Sequence, residues 1–324
     1  MKFDDAFPTI RRSIQALERE LEGVVKNDVR LIPEVGRYLL GGGGKRIRPA
    51  LVFLTARAVG LRGPQVVTLG VVVEMIHTAT LLHDDVVDEG TVRRGRPSAN
   101  RVFGNAASVL VGDYLYSLSS VLLARMGDPQ LVRMIAEATN AMAEGEVHQL
   151  AEAYSPTETE DEYLEIIRKK TAALFGACSW APAAAAKASE EVQLALHAFG
   201  LDLGMAFQLA DDVLDYVADD ARFAAKRGAD FRDGKYTLPA IAALKLASAT
   251  DSDRIRGLLA GERRGARELT AMVKLIERYD GFRYTQARAQ ECVDSALGRL
   301  AALPRGEGRR ALERLARFAR SRSF

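Results

Sequence analysis

The apolar positions along this chain fall at helical spacing almost throughout. In residues 10–26, Ile14, Leu17, Leu21 and Val24 recur three and four apart, which puts them on one face of a helix. Ala, Leu, Glu and Arg, all favourable in helices, fill most of the remaining positions along the chain. Strict apolar–polar alternation, the mark of a half-buried strand, is hard to find. The run Val71-Val72-Val73 would suit a strand, but it sits inside an apolar stretch at 64–88, and Pro64 suits a first helical turn. That stretch is predicted to be one long, largely buried helix. Short clusters of Gly, Pro, Asp or Ser at 41–44, 60–63, 89–97, 127–129, 155–159, 228–234 and 261–265 mark the breaks between helices. None is long or biased enough to be a linker, and no period of roughly 20–50 residues recurs. The pattern predicts an all-α chain folded as a single domain over residues 1–324. Its core is expected at about 10–248, with a more charged helical cap at 249–324.

Composition narrows the function classes. Hydrophobic residues make up 48% and charged residues 27% of the 324, as in a globular protein with a sizeable core. The formal net charge is +2, so no strong field of either sign points to nucleic acid as a partner. Cys178 and Cys292 are too few for a disulfide framework and carry no metal-ligand spacing, which reads as two buried thiols in a reducing compartment. The opening MKFDDAFPTI lacks the apolar core of a signal peptide. The longest uncharged apolar-rich run, 171–186, contains Pro182 and is shorter than the ~20 residues of a membrane-spanning helix. Both observations predict a cytoplasmic protein. Between residues 305 and 324, seven Arg stand against Glu307 and Glu313. Such a run is either a solvated helix face or a surface for anionic lipid or a substrate phosphate.

Two acidic clusters carry the chemistry. Asp84-Asp85-Val86-Val87-Asp88 lies in LLHDDVVDEG, and Asp211-Asp212-Val213-Leu214-Asp215 lies in FQLADDVLDYV. Each ends an apolar helical run. Residues four apart share a helix face, so Asp84 pairs with Asp88 and Asp211 with Asp215. Like charges at that spacing repel, so folding stability does not account for them. A hard divalent cation does, because Mg²⁺ takes oxygen ligands and is commonly shared between one or two carboxylates and a substrate diphosphate. A single such cluster is usually only solvated. Two near-identical clusters facing each other would hold Mg²⁺ ions between them. A polyanion also needs cations from the protein. The segment Gly41-Gly42-Gly43-Gly44-Lys45-Arg46-Ile47-Arg48-Pro49 offers glycine amides and three positive side chains ahead of a helix. It is not a P-loop, because no Ser or Thr follows the Lys and no strand precedes it. Further basic groups are Arg93-Arg94, Lys169-Lys170 before Thr171, and Lys235.

The ordered set GGGKRIRP, LLHDDVVDE, RRG, KTA, FQLADDVLD and DGKYTLP, spread over residues 41–240, resembles the trans-type prenyl diphosphate synthases. The nearest likeness is to their polyprenyl branch, which includes octaprenyl and decaprenyl diphosphate synthases. The resemblance implies a single domain of packed helices around a deep central cavity, usually a homodimer. It implies metal ligation by Asp84, Asp88 and Asp211, with Asp85, Asp212 and Asp215 in support and three Mg²⁺ per site when substrate is bound. Isopentenyl diphosphate would be held by Lys45, Arg48, His77 and Arg94. The allylic prenyl diphosphate would be held by Arg93, Lys170, Thr171, Gln208 and Lys235. Peripheral membrane contact for product release is a further expectation. One departure stands out: the family places a Gly-Lys pair two residues before the next Gly, whereas here Lys226 is one residue closer to Gly228, leaving Lys226 or Arg227 for that role.

The growing chain is expected to run down the helix that carries Asp84, at about 1.5 Å per residue. Five and four residues upstream stand Ala79 and Thr80, where shorter-chain relatives carry a bulky aromatic. Small residues there predict an open tunnel and a long product, a quinone side-chain precursor, and Ala79→Tyr is expected to shorten it. Met126, Met134 or Met142 would form the floor, while Tyr114 and Tyr116 read as packing residues. Three other readings are weaker. Glu74-Met75-Ile76-His77 fits a di-iron bundle, but such proteins need two Glu-x-x-His patterns. A regulatory subunit tends to lose one acidic cluster, and a terpene cyclase normally shows only one.

Overall fold

Helices account for nearly the whole chain in the computed structural model, which describes residues 7–40, 44–93, 95–154, 159–217, 227–261 and 264–321. In chain order they are α1 (Arg11–Val24), α2 (Leu31–Leu40), α3 (Ile47–Ala58), α4 (Pro64–Val87), α5 (Ala99–Phe103), α6 (Asn105–Arg125), α7 (Pro129–Tyr154) and α8 (Glu160–Ile167). After a wider π turn at Arg168–Ala172 come α9 (Ala173–Ala185), α10 (Glu190–Val217), α11 (Ala229–Arg232), α12 (Leu238–Leu246), α13 (Ala249–Ala260), α14 (Ala266–Arg278), α15 (Gly281–Arg299) and α16 (Glu307–Ser321). The break expected at 89–97 holds a small antiparallel hairpin, β1 (Val92–Arg93) with β2 (Arg96–Pro97), turning at Gly95 with φ +76°.

The helix predicted from the Val-rich run is α4. Pro64 occupies its first turn, where a missing N–H costs nothing. It ends where Glu89 takes φ +50° and the Gly90 amide closes back on the Asp85 carbonyl at 2.9 Å. Residues all round its surface are buried, as in a central helix. α9 is buried in the same way. α6 packs along α4, α9 lies between α3 and α10, and α10 is flanked by α9 and α15.

Two expectations need correction. The cap predicted at 249–324 is peripheral only in α13 and α14, which build a small core of their own with Tyr216, Phe231 and Leu244. α15 and α16 return to the main core, where Val293, Ala296, Leu312 and Leu315 are buried. Their high Arg content reflects amphipathic helices with one solvated face. By length and composition, α4, α6 and α10 would each suffice to cross a membrane. None of them is an uncharged run, because Glu74, Asp113 and Asp202 interrupt them. In α4, 61% of that apolar window is buried inside the fold.

The π turn owes its position to glycine. A Cβ on Gly145 of α7 would sit 2.5 Å from the Lys170 backbone nitrogen, and one on Gly204 of α10 would sit 2.6 Å from the Ala172 Cα. Gly145→Ala is therefore expected to push the turn outward. The expected cost is about 1–3 kcal/mol of stability, read from the midpoint of urea unfolding, with a loss of turnover larger than that loss of folded protein.

Candidate active site

A cavity of about 1310 Å³ opens at the C-terminal end of α4, above the roughly 300–1,000 Å³ of an ordinary small-molecule pocket. Asp84 of α4 and Asp211 of α10 both line it, so the two acidic clusters, 127 positions apart, meet at one hollow. Lys45, Arg48, His77, Thr80, Arg93, Lys170, Thr171 and Gln208 line it too. A smaller hollow of about 350 Å³ adjoins it, sharing Glu146 and lined by Asp88 and Lys235. Arg94 and Lys226 lie outside the described residues.

The six aspartates divide their work. Asp85 is buried and accepts Arg93 Nε on both carboxylate oxygens, at 2.7 and 2.8 Å, which fixes the hairpin over the mouth. Its backbone carbonyl takes the Asn100 side-chain amide at 2.7 Å. Asp212 is equally buried and accepts the Tyr163 hydroxyl and, at 2.9 Å, Gln208 Nε2. The other end of Gln208 takes the Thr171 hydroxyl at 2.9 Å, so Thr171, Gln208, Asp212 and Tyr163 form one hydrogen-bonded chain. Asp215 accepts the amides of Ala229 and Asp230 at 3.0 and 3.2 Å and ties down the segment leading to Lys235. Asp84 and Asp211 turn into the main cavity and Asp88 into its neighbour.

The cations are held as tightly. Lys170 Nζ lies 2.6 Å from Glu146 and donates to Gln149 at 2.5 Å. Lys235 Nζ lies 3.2 Å from both Asp88 and Asp233. Burial alone would lower the Lys235 pKa, but Asp230, Asp88 and Asp233 outweigh it and hold the ammonium above its ordinary value. Lys45 sits 5.9 Å above the Phe318 ring and Arg48 lies 4.9 Å from the Phe175 ring centroid. Arg46 between them has another role. Its backbone turns left-handed at φ +46°, and its buried guanidinium pairs with Glu74 at 2.5 Å and Glu18 at 2.7 Å. Losing Glu74 would leave the buried guanidinium short of a partner, at a cost of about 3–5 kcal/mol. Glu74 is thereby committed to Arg46, which removes it from any di-iron pairing with His77.

The wall of the shaft differs from expectation. On α4 the cavity is lined by Glu74, Ile76, His77, Thr80, Leu81, His83 and Asp84. Ala79 points roughly 140° round the helix from Asp84 and is packed in the core, 1% exposed. Tyr116, read as packing, stands in the cavity wall instead, and its hydroxyl meets Thr139 Oγ1 at 3.3 Å across α6 and α7. Of the three methionines, Met142 lines the cavity while Met126 and Met134 pack against the core. Cys292 is only half-buried. Sequence reasoning also missed Glu146 and Gln149. Their signal was present as two polar side chains three residues apart, after Gly145, on an Ala-rich helix.

The donors facing the cavity are carboxylate oxygens. Among the described residues no three His, Cys, Asp or Glu side chains converge on one point. The protein thus supplies part of an oxygen coordination shell, as suits an ion completed by a phosphate ligand and water. Burial pushes the Asp84 pKa up from 3.8 to about 6, with Glu146 and Asp88 adding to it and Lys170 and Arg93 opposing it. Asp215 rises to about 7, again mainly through burial, then through Asp230. A carboxyl raised in the folded state holds its proton longer there than in the unfolded chain, so stability falls as pH rises from about 4 to 6. In metal-free protein, Asp84→Asn is expected to raise unfolding free energy by about 1–3 kcal/mol at pH 8 and by nothing below pH ~4. Urea unfolding at the two pH values in EDTA checks this.

Comparison with known proteins accords with this geometry. Residues 29–276 match the polyprenyl synthetase family. The chain is 39% identical over 325 aligned positions to an octaprenyl diphosphate synthase of Haemophilus influenzae, covering 100% of this chain and 98% of that one. It is 41% identical over 295 positions to the Escherichia coli octaprenyl diphosphate synthase, covering 91% of each. The crystal structure of a decaprenyl diphosphate synthase from Rhodobacter capsulatus superposes with a TM-score of 0.92 at 38% identity, over 99% of both chains. A polyprenyl synthase from Caulobacter crescentus, complexed with calcium and isoprenyl diphosphate, superposes with a TM-score of 0.93 at 36% identity, over 98% of this chain and 97% of that one. With a family match over most of its length and relatives near 40% identity, the chain belongs to the polyprenyl synthetase family.

Proposed function

We propose that the rim of the large cavity is where an allylic prenyl diphosphate is ionised and joined to isopentenyl diphosphate, and that the shaft below takes the growing chain. The observation that carries this is the meeting of Asp84 and Asp211 at one hollow ringed by cations and walled below by Ile76, Met142 and Phe207. The reaction class is that of the family: head-to-tail elongation to a long all-trans polyprenyl diphosphate.

Asp84, Asp88 and Asp211 would hold magnesium, three ions per site with substrate bound. Magnesium supplies Lewis-acid stabilisation of charge on the departing diphosphate. The calcium and isoprenyl diphosphate in the Caulobacter relative support a divalent ion and a diphosphate at such a site. Lys170, Arg93 and Lys235 each rest on protein carboxylates, and an entering allylic diphosphate takes over these contacts, with Thr171 and Gln208 beside them. The C–O bond then breaks to an allylic cation. Lys45, Arg48 and His77 orient isopentenyl diphosphate so that its double bond attacks the cation, and the proton lost passes to the released diphosphate. Apolar walls keep water from trapping the cation as an alcohol.

Product length follows from the walls. By family analogy the chain reaches about eight to ten isoprene units, about C40–C50, such as a ubiquinone side-chain precursor. Thr80 narrows the shaft little, and the Tyr116–Thr139 contact lies about 10 Å below Glu146 along α7. The protein works as a cytoplasmic homodimer in this reading. The second copy would cover the exposed Leu110 and Val121 of α6 and Val132 and Val147 of α7.

Two experiments test the proposal. Incubation with Mg²⁺, isopentenyl diphosphate and farnesyl diphosphate is expected to give a long diphosphate by chromatography. EDTA or Asp84→Ala should lower turnover by roughly a hundredfold or more, and retained turnover would remove Asp84 from the metal site. Thr80→Tyr is expected to shorten the product and Tyr116→Ala to lengthen it, whereas unchanged lengths in both would rule out this shaft.

A further inference from the structure

Away from the cavity, α13 and α14 enclose a groove of about 400 Å³ lined by Arg254, Arg267, Thr270, Lys274, Leu275 and Arg278. On α14, Arg267, Lys274 and Arg278 lie seven and four residues apart, on one helix face, and Arg254 faces them from α13. All four cations are exposed. Among the described residues no acidic side chain lines the groove. The nearest compensation is Asp251, which accepts Arg278 at 3.0 Å and the Tyr279 hydroxyl at 2.7 Å. Four positive charges against one negative leave an excess of about three (4 − 1).

Folding does not call for this arrangement. Lys274 and Arg278 repel at four-residue spacing. The inward faces of the two helices, Ile255, Leu259, Met272 and Ile276, already satisfy their small core. Elsewhere on the surface, cations have acids at helical neighbours, as in Arg30–Glu34, Arg283–Asp280 and Arg309–Glu313. Among the described residues Arg278 alone of the four is in an ion pair, with Asp251, although Asp251 also stands three residues before Arg254 and Glu277 three after Lys274; the row of cations on α14 spans about 16 Å. That span exceeds one phosphate and suits a row of phosphate headgroups on a plane. α16 offers a second line of exposed cations, Arg310, Arg314 and Arg317, but beside them Glu313 is paired with Arg309.

We propose that the groove between α13 and α14 docks the protein on membranes that carry anionic, phosphate-bearing lipids. The proposal draws its purpose from chain elongation, because a long polyprenyl diphosphate must pass from the cavity into lipid. Its evidence is the charge and shape of the groove alone. An enzyme held at the leaflet by a cationic face delivers that product without crossing bulk water, and each cation near such a surface adds to the attraction.

The test is flotation of the purified full-length chain with phosphatidylcholine vesicles, with and without phosphatidylglycerol. Wild type is expected to bind only the anionic vesicles and to release as salt rises. Arg267→Gln/Lys274→Gln should bind on the order of tenfold more weakly. Arg310→Gln/Arg314→Gln should stay within about twofold of wild type. Both pairs should keep the wild-type melting temperature and turnover on soluble substrates in detergent, which separates docking from catalysis. The proposal is overturned if wild type ignores phosphatidylglycerol, if the groove variant binds as wild type does, or if the loss follows the α16 pair. Titration with inorganic phosphate supplies the last arm. A phosphate equivalent lost in the groove variant, without preference for anionic vesicles, would assign the groove to a soluble anion and overturn membrane docking.

Discussion

A carboxylate turned into a largely apolar cavity is unstable as an anion unless a cation answers it, and the whole site is arranged around that constraint. Asp84 stands at the end of a helix buried on every side, and burial raises its pKa to about 6 even with Lys170 and Arg93 nearby. The cations are subject to the converse constraint. Lys170, Arg93 and Lys235 would each be costly to hold near apolar walls without a partner, and each rests on a carboxylate from another element. Each of the three cations is thus one half of a neutralising pair at the cavity edge. A diphosphate with divalent ions brings both signs of charge at once, so it can replace partners on both sides without leaving a buried charge alone.

Such exchange requires that the charged groups stand at fixed points, and the fold fixes them by helix ends and close approaches. The acidic clusters lie on rigid helices rather than on loops, so their aim follows the packing of α4 and α10. Lys170 rides on a π turn, a rare irregularity that often marks a functional position. It can sit there because Gly145 and Gly204 remove the Cβ atoms that would collide with it from either side. Arg46 shows the same logic in the opposite sense. A strained left-handed backbone is held by a buried ion pair to Glu18 and Glu74, which leaves Lys45 and Arg48 on the cavity side.

Much of this was legible from residue order. The long helix at 64–87 followed from Pro64 and an apolar run, and the meeting of the acidic clusters followed from their repeated spacing on apolar helices. What could not be read depends on rotation and on distant partners. Ala79 and Thr80 are adjacent in sequence, yet only Thr80 reaches the cavity, because each residue turns the helix about 100° and the cavity covers only part of its circumference. Tyr116 passed for packing because nothing local shows that Thr139 stands across from it. Asp85, Asp212 and Asp215 share the motif of their neighbours but are spent on Arg93, Tyr163 and the amides of Ala229 and Asp230. Spacing identifies the cluster, whereas only the fold assigns its members.

The division of the chain after Ala247 follows from the same economy of burial. α15 and α16 are as rich in Arg as α14, yet they carry apolar faces that complete the main core beside α10 and α3. α13 and α14 bury their apolar faces in a separate small core that begins at Tyr216, just below the second acidic cluster. Leu269 of α14 packs over Gly228, and Arg264 reaches the Arg232 carbonyl at 2.8 Å, so this subcore braces the segment that presents Lys235. Its inner surface thus serves the site, while its outer surface is free to carry charge that the core has no use for. A helix pair with one face committed to the mouth and the other unconstrained by packing is where a second role can be added at least cost to the fold.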